Sequence, residues 1–135
     1  MTREQAIFDF WNSFNIPAFE ENSVPTGEDA PSYPYITYQL VIDNFGSQVQ
    51  TSASVYDRDK DNYSALFQVL QKTAEIRRKI SRGGIMLAFD NGVVWLKPNT
   101  PFSHIMGDSE DTAVRRAYLN MTAEFISADY QGVIK

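Results

Sequence analysis

Asp57, Asp59 and Asp61 occupy alternate positions, the carboxylate spacing with which a calcium loop of the EF-hand kind begins. That loop also needs Gly at its sixth place and a bidentate Glu at its twelfth. Here those places hold Asn62 and Gln68, so the acids read instead as favourable charge at a helix N-terminus. His104 is the only histidine. With Ser103 and Asp108 it offers an imidazole, a hydroxyl and a carboxylate, but their spacing matches no nucleophile elbow such as G-x-S-x-G. The chain has no cysteine, which removes thiolate zinc sites, cysteine nucleophiles and disulfides and suits intracellular synthesis. It has neither a P-loop nor a G-x-G-x-x-G run. Asp108-Ser109-Glu110-Asp111 precedes Arg115-Arg116, and adjacent acids in a loop are more often solvated, or aimed at a basic partner, than used as an acid–base pair. No catalytic set, metal or cofactor is expected.

The charge balance narrows the partners. There are 17 acidic against 12 basic residues, a net charge of −5, which argues against a phosphate-binding surface spread over the domain. Five basic residues, Lys72, Arg77, Arg78, Lys79 and Arg82, crowd the end of one predicted helix, where they complement the negative end of its dipole. The aromatics of the N-terminal segment lie at core spacing and acids dominate the loops, so nucleic-acid readout ranks low.

Around these residues the chain organises readily. Thr2 with Gln5 forms a capping box, and Ile7, Phe10, Trp11 and Phe14 repeat at helical spacing, which predicts a helix over Arg3–Asn15 ended by Pro17. Residues 17–34 hold four prolines and no periodicity and read as a long loop. In Pro34–Arg58 two strands fold over Asn44-Phe45-Gly46. Ile36, Tyr38, Leu40 and Ile42 fall on one face of the first, and Val49, Thr51, Ala53 and Val55 on one face of the second. Tyr63–Arg82 is the principal helix, with a stripe of Leu66, Phe67, Leu70, Ala74, Arg77 and Ile80, Asp61 or Asn62 as its cap and Gly83-Gly84 as its stop. Asp90-Asn91-Gly92 joins strands Ile85–Phe89 and Val93–Lys97 as a hairpin. A second long loop is expected over 98–112. The last strand, about Ala113–Ser127, turns Ala117, Leu119, Met121, Ala123 and Phe125 to one side.

The expectation is therefore a single α+β domain over 1–135, in the order α-β-β-α-β-β-β, with an antiparallel sheet packed against two helices. With 43% hydrophobic and 13% aromatic residues the chain can bury one core. Polar Thr2-Arg3-Glu4-Gln5 follows Met1, and no apolar run approaches the roughly 20 residues of a bilayer span, so a soluble, unsecreted protein without membrane contact is expected. The Thr, Gln and Ser on the polar faces of the strands leave a wettable outer face usable for association.

Across nearly its full length the chain resembles the tail terminator family of long-tailed bacteriophages, also called tail-completion or head-tail joining proteins. Pro34-Tyr35-Ile36-Thr37-Tyr38, Ser54-Val55-Tyr56-Asp57-Arg58, Arg82-Gly83-Gly84, Pro101-Phe102 and Val114-Arg115-Arg116-Ala117-Tyr118-Leu119-Asn120 carry the resemblance. Tyr56 stands where many relatives have Trp, and keeps a large amphipathic ring. The resemblance implies a virion protein of the tail end, made in the host cytoplasm, that closes as a homo-oligomeric ring, typically hexameric. Such a ring stops polymerisation of the tail tube protein and offers a docking face to a neck or head-completion protein, while DNA passes without specific binding.

On that expectation Ile85, Leu87, Val94, Leu70, Arg77, Arg116 and Tyr118 form subunit interfaces. Phe19, Val24, Pro31, Tyr33, Phe102, His104 and Met106 lie on loops that meet tube or neck, and Glu28, Asp29, Asp108, Glu110 and Asp111 line the channel and repel DNA. Two other readings remain open: a head-completion or neck connector protein, and a small ligand-binding or enzymatic α+β domain with a pocket lined by Tyr38, Trp95 and Tyr118.

Overall fold

A computed structural model describes residues 1–41, 47–59 and 64–127. Helix α1, Arg3–Trp11, starts where Thr2 accepts a hydrogen bond from the Gln5 amide, and tightens into a 3-10 turn over Asn12–Phe14. Asn15 then takes a left-handed conformation, and the chain leaves the helix before Pro17. The strands are β1 (Ala18–Glu20), β2 (Tyr35–Tyr38), β3 (Gln48–Arg58), β4 (Ile85–Phe89), β5 (Gly92–Gly107) and β6 (Val114–Ser127); helix α2, Ser64–Ile80, follows β3. They form one curled sheet in the order β1-β2-β3-β6-β5-β4.

This is an α+β domain with two α-helices among the described residues, but four expectations are corrected. The segment 17–34 is not all loop: Ala18–Glu20 pairs with Ile36–Tyr38 in parallel, so the sheet is mixed and gains an edge strand. Three residues carry too little alternation to announce a strand; pairing with β2 supplies the signal. The segment 98–112 is not all loop either, because β5 continues to Gly107. β6 offers a ladder along its whole length, and β5 follows it by a bulge between Pro98 and Ser103 that takes Asn99–Phe102 out of register. The turn at Asn44-Phe45-Gly46 and the cap at Asp61 or Asn62 lie outside the described residues.

Both helices pack on one face of the sheet. β6 supplies the floor: Ala117, Leu119, Met121 and Phe125 are fully buried, as their alternation predicts. Ile7, Phe10, Trp11 and Phe14 of the first helical segment join them in one core. Lys72 donates to the Phe14 carbonyl at 2.8 Å and Lys79 to the Ser13 hydroxyl at 2.8 Å, which ties α2 to the end of α1.

The third correction concerns the roll of α2. Its buried stripe is Ala65, Val69, Thr73, Ile76 and Ile80, leaving Phe67 64% and Leu70 42% exposed. Both apolar stripes have helical spacing. The inner one is lined by small and β-branched residues, which let the helix lie close on β3 and β6.

The expected stop at Gly83-Gly84 is also corrected: α2 ends at Ile80 and Ser81 takes the left-handed conformation at φ +64°, its amide donating to the Arg77 carbonyl, while Gly84 serves the turn into β4. Gly84 has φ +88°, and a Cβ there would lie 2.6 Å from Trp95 Nε1 and 2.7 Å from the Leu96 carbonyl. Gly83 has open space.

Candidate assembly surfaces

No described helix covers the face of the sheet opposite α1 and α2, and its strands put unlike residues side by side there. Phe19 pairs with Thr37, Tyr35 with Tyr56, Tyr56 with Arg116, Ser54 with Tyr118, and His104 with Tyr118. Partners in register share a face, so these residues form one band across β1, β2, β3, β6 and β5. Tyr35 stacks on Tyr56 with centroids 5.1 Å apart, and Phe19 meets the Tyr35 ring edge-on at 6.2 Å. Tyr33 lies 5.3 Å from Tyr35.

The Arg116 guanidinium sits 5.4 Å from the Tyr56 centroid and 5.1 Å from that of Tyr118, and its Nε donates to Ser54 Oγ at 2.9 Å. Burial, with the neighbouring Tyr33 and Tyr56 phenols adding to it, pushes the Tyr35 hydroxyl up to about 12. The band is thus an ordered aromatic surface that holds the half-buried Arg116, flanked by Arg58 in its pair with Asp111 and ended by exposed His104 and Met106. Such rigid, amphipathic area suits protein association.

Six residues expected in two separate sets are brought together here: Phe19, Tyr33, His104 and Met106, expected on contact loops, and Arg116 and Tyr118, expected at subunit interfaces. The register, not the chain, unites them. Tyr35 completes the band without having been singled out as a site; its position opposite Tyr56 across the strand pair is the signal that reveals it.

Leu70 and Arg77 lie elsewhere, on the outward side of α2. With Arg78 and Arg82 they wall an open groove of about 930 Å³ whose other side is the Pro98–Ser103 bulge. Phe102 belongs to that bulge and packs partly on the core.

Val94 is corrected as an interface residue: it is 1% exposed and points into the core, and Ile85 and Leu87 are half-buried against the same core. Val24 and Pro31 are half-buried in the β1–β2 connection. Glu28 and Asp29 stand exposed on a 3-10 turn, Gly27–Asp29.

The acidic segment after β5 is ordered by its own carboxylates. Asp108 accepts from the Glu110 amide at 2.8 Å, Asp111 accepts from the Ala113 amide at 3.1 Å, and Arg58 Nε donates to Asp111 at 2.8 Å.

The residues weighed for chemistry do not converge. Asp57 is corrected as a helix-terminal charge, since it lies within β3 and accepts from the Arg58 amide; Asp59 accepts from the Ser64 hydroxyl at the start of α2, and Asp61 lies outside the described residues. No group of three or more potential metal ligands occurs among the described residues. Tyr38 stacks on Trp11 inside the core, whereas Tyr118 lies on the opposite face, so Tyr38, Trp95 and Tyr118 do not line one pocket. Trp95 is held by its Nε1 donating to the Gly83 carbonyl at 2.9 Å and by Lys97, whose Nζ lies 4.3 Å from its ring centroid.

Among the described residues no helix is long and apolar enough to cross a membrane. Compared with known proteins, the chain matches no family model and no curated sequence.

Proposed function

We propose that this protein is a virion structural component that closes as a ring, typically of six copies, on the end of a phage tail tube. There it halts polymerisation and presents a docking face to the neck of the filled head. The observation that carries this reading is the aromatic band with Arg116 on the helix-free face, a preorganised area with no helix over it among the described residues. The resemblance to tail terminators supports it, since Pro34–Tyr38, Ser54–Arg58 and Val114–Asn120, three of the five segments that carry the resemblance, supply most of that band.

In this reading the band meets the tail tube protein or the neck protein. Head-to-tail contacts between unlike patches of neighbouring copies close the ring. Exposed Glu28 and Asp29 face the channel, where their charge keeps DNA from adhering as it passes. The chain makes and breaks no covalent bond.

The test is to purify tails that lack heads and image them in negative stain with and without added protein. Tubes capped by annuli at one end, and of constant length, are the expected result. A protein that is monomeric at high concentration and leaves tube ends bare contradicts the reading. Binding to tail-less heads, and not to tubes, would make it a neck connector instead.

A further inference from the structure

The groove beside α2 has an unusual lining. Helical spacing sets Leu70, Thr73, Ala74, Arg77, Arg78 and Ser81 along one side of α2, facing Pro98–Ser103. The dipole alone does not account for the arginines. Lys72 and Lys79, on the same helix, are engaged within the molecule, whereas Arg77, Arg78 and Arg82 make no ion pair among the described residues, and no acid lines the groove with them. Thr73, beside the groove, is 7% exposed, and its Oγ1 has no hydrogen-bond partner among the described residues. A buried hydroxyl left unpaired costs stability unless something supplies an acceptor.

The chain carries a segment with the matching sequence of properties. Ile105, 42% exposed on the helix side of β5 beside Leu66, is followed by Gly107, which leads directly into Asp108-Ser109-Glu110, while Met106 points to the opposite face with Arg116. An apolar residue followed by carboxylates is complementary to a groove of apolar Leu70, Pro101 and Phe102 rimmed by guanidiniums. This segment does not reach its own groove, because it is anchored at the opposite half of α2 by the Arg58–Asp111 pair and by the Asp59 amide donating to the Ala113 carbonyl. Leu66, beside the acidic segment, and Arg77, in the groove, are separated by roughly 16 Å of helix.

We infer that the Ile105–Glu110 segment of one copy docks in the α2 groove of a second copy, with Asp108 and Glu110 on Arg77, Arg78 and Arg82. The occupant is thus another copy of this chain, and the contact is head to tail. The inference rests on the ring reading and names its two unlike patches. Asp108 and Glu110 are then spent on a neighbour, leaving the channel to Glu28 and Asp29. Arg77→Glu with Arg78→Glu reverses the groove and Asp108→Lys with Glu110→Lys reverses the segment; all four side chains are exposed, and an unchanged circular dichroism spectrum and melting transition identify variants that keep the fold.

Sedimentation of the full chain in low salt, up to about 1 mM, is the readout. Wild type is expected to associate, and to do so about tenfold or more weakly at about 1 M salt, where screening falls to about 3 Å. Each double variant alone is expected to stay monomeric, and their mixture to associate again because the reversed charges are complementary. Thr73→Val, which removes an unpaired buried hydroxyl, is expected to leave thermal stability unchanged or higher. A wild type that is monomeric throughout overturns the inference, as does association that neither variant changes. Annuli on tube ends in either case would leave the ring reading standing on other surfaces.

Discussion

Arg116 and Tyr118 stand two residues apart on β6, so both leave the sheet on its helix-free side, and the guanidinium carbon lies 5.1 Å from the phenol ring centroid. The same guanidinium reaches Tyr56 across the strand pair and satisfies a hydroxyl, Ser54, that is 3% exposed. One cation therefore organises three neighbours on a surface rich in aromatic rings.

Arg116→Ala removes two cation–π contacts and strands the buried Ser54 hydroxyl. It is expected to cost about 2 kcal/mol in urea unfolding of the monomer. Arg116→Lys keeps the charge but not the planar stack, and falls between the two. Loss of tube or neck binding in Arg116→Lys at near-native stability would tie the band to assembly; unchanged binding in Arg116→Ala would remove the band from it.

The roll of α2 is tested by two truncations. Ile76→Ala, at a fully buried position, is expected to cost about 2–5 kcal/mol. Leu70→Ala, at a 42% exposed one, is expected to cost less than about 1 kcal/mol. The reverse order in chemical denaturation would place the helix on its other stripe.

Tyr35 is expected to ionise late, near its raised value of about 12, by ultraviolet titration of the folded protein. The sign follows from the unfolded phenol at 10.0: the folded state holds its proton longer. The stability it contributes is present below about pH 10 and is lost as pH rises from there towards about 12. Tyr35→Phe abolishes that part of the alkaline loss, and a Tyr35 that titrates with the exposed tyrosines would contradict the stacking with Tyr33 and Tyr56.

Gly84→Ala is expected to destabilise by about 1–3 kcal/mol, since an alanine there meets both a positive φ and a carbonyl at 2.7 Å. Gly83→Ala is expected to be neutral or nearly so. Equal melting temperatures for the two variants would refute this distinction.

Local periodicity in the chain was enough for much of this architecture. The alternation over 114–127 and 48–55, the helical spacing of Ile7, Phe10, Trp11 and Phe14, and Asp90-Asn91-Gly92 between apolar runs each act over a few residues. Side chains on one face of one element must be alike if that face is buried, so these patterns are legible without knowing what packs against them. The α+β class follows from their order.

Other features depend on residues far apart in the chain. β1 exists as a strand because Ile36–Tyr38 is there to pair with it, and β5 runs past Pro101 because β6 keeps offering a ladder. α2 carries two usable stripes, and only contact with β3 and β6 selects Ile76 over Leu70 for the core. The aromatic band is the clearest case: its members come from five strands, and nothing local relates Phe19 to Arg116 or His104. Periodicity reports which face of an element is buried, whereas the register between elements decides which exposed residues become neighbours.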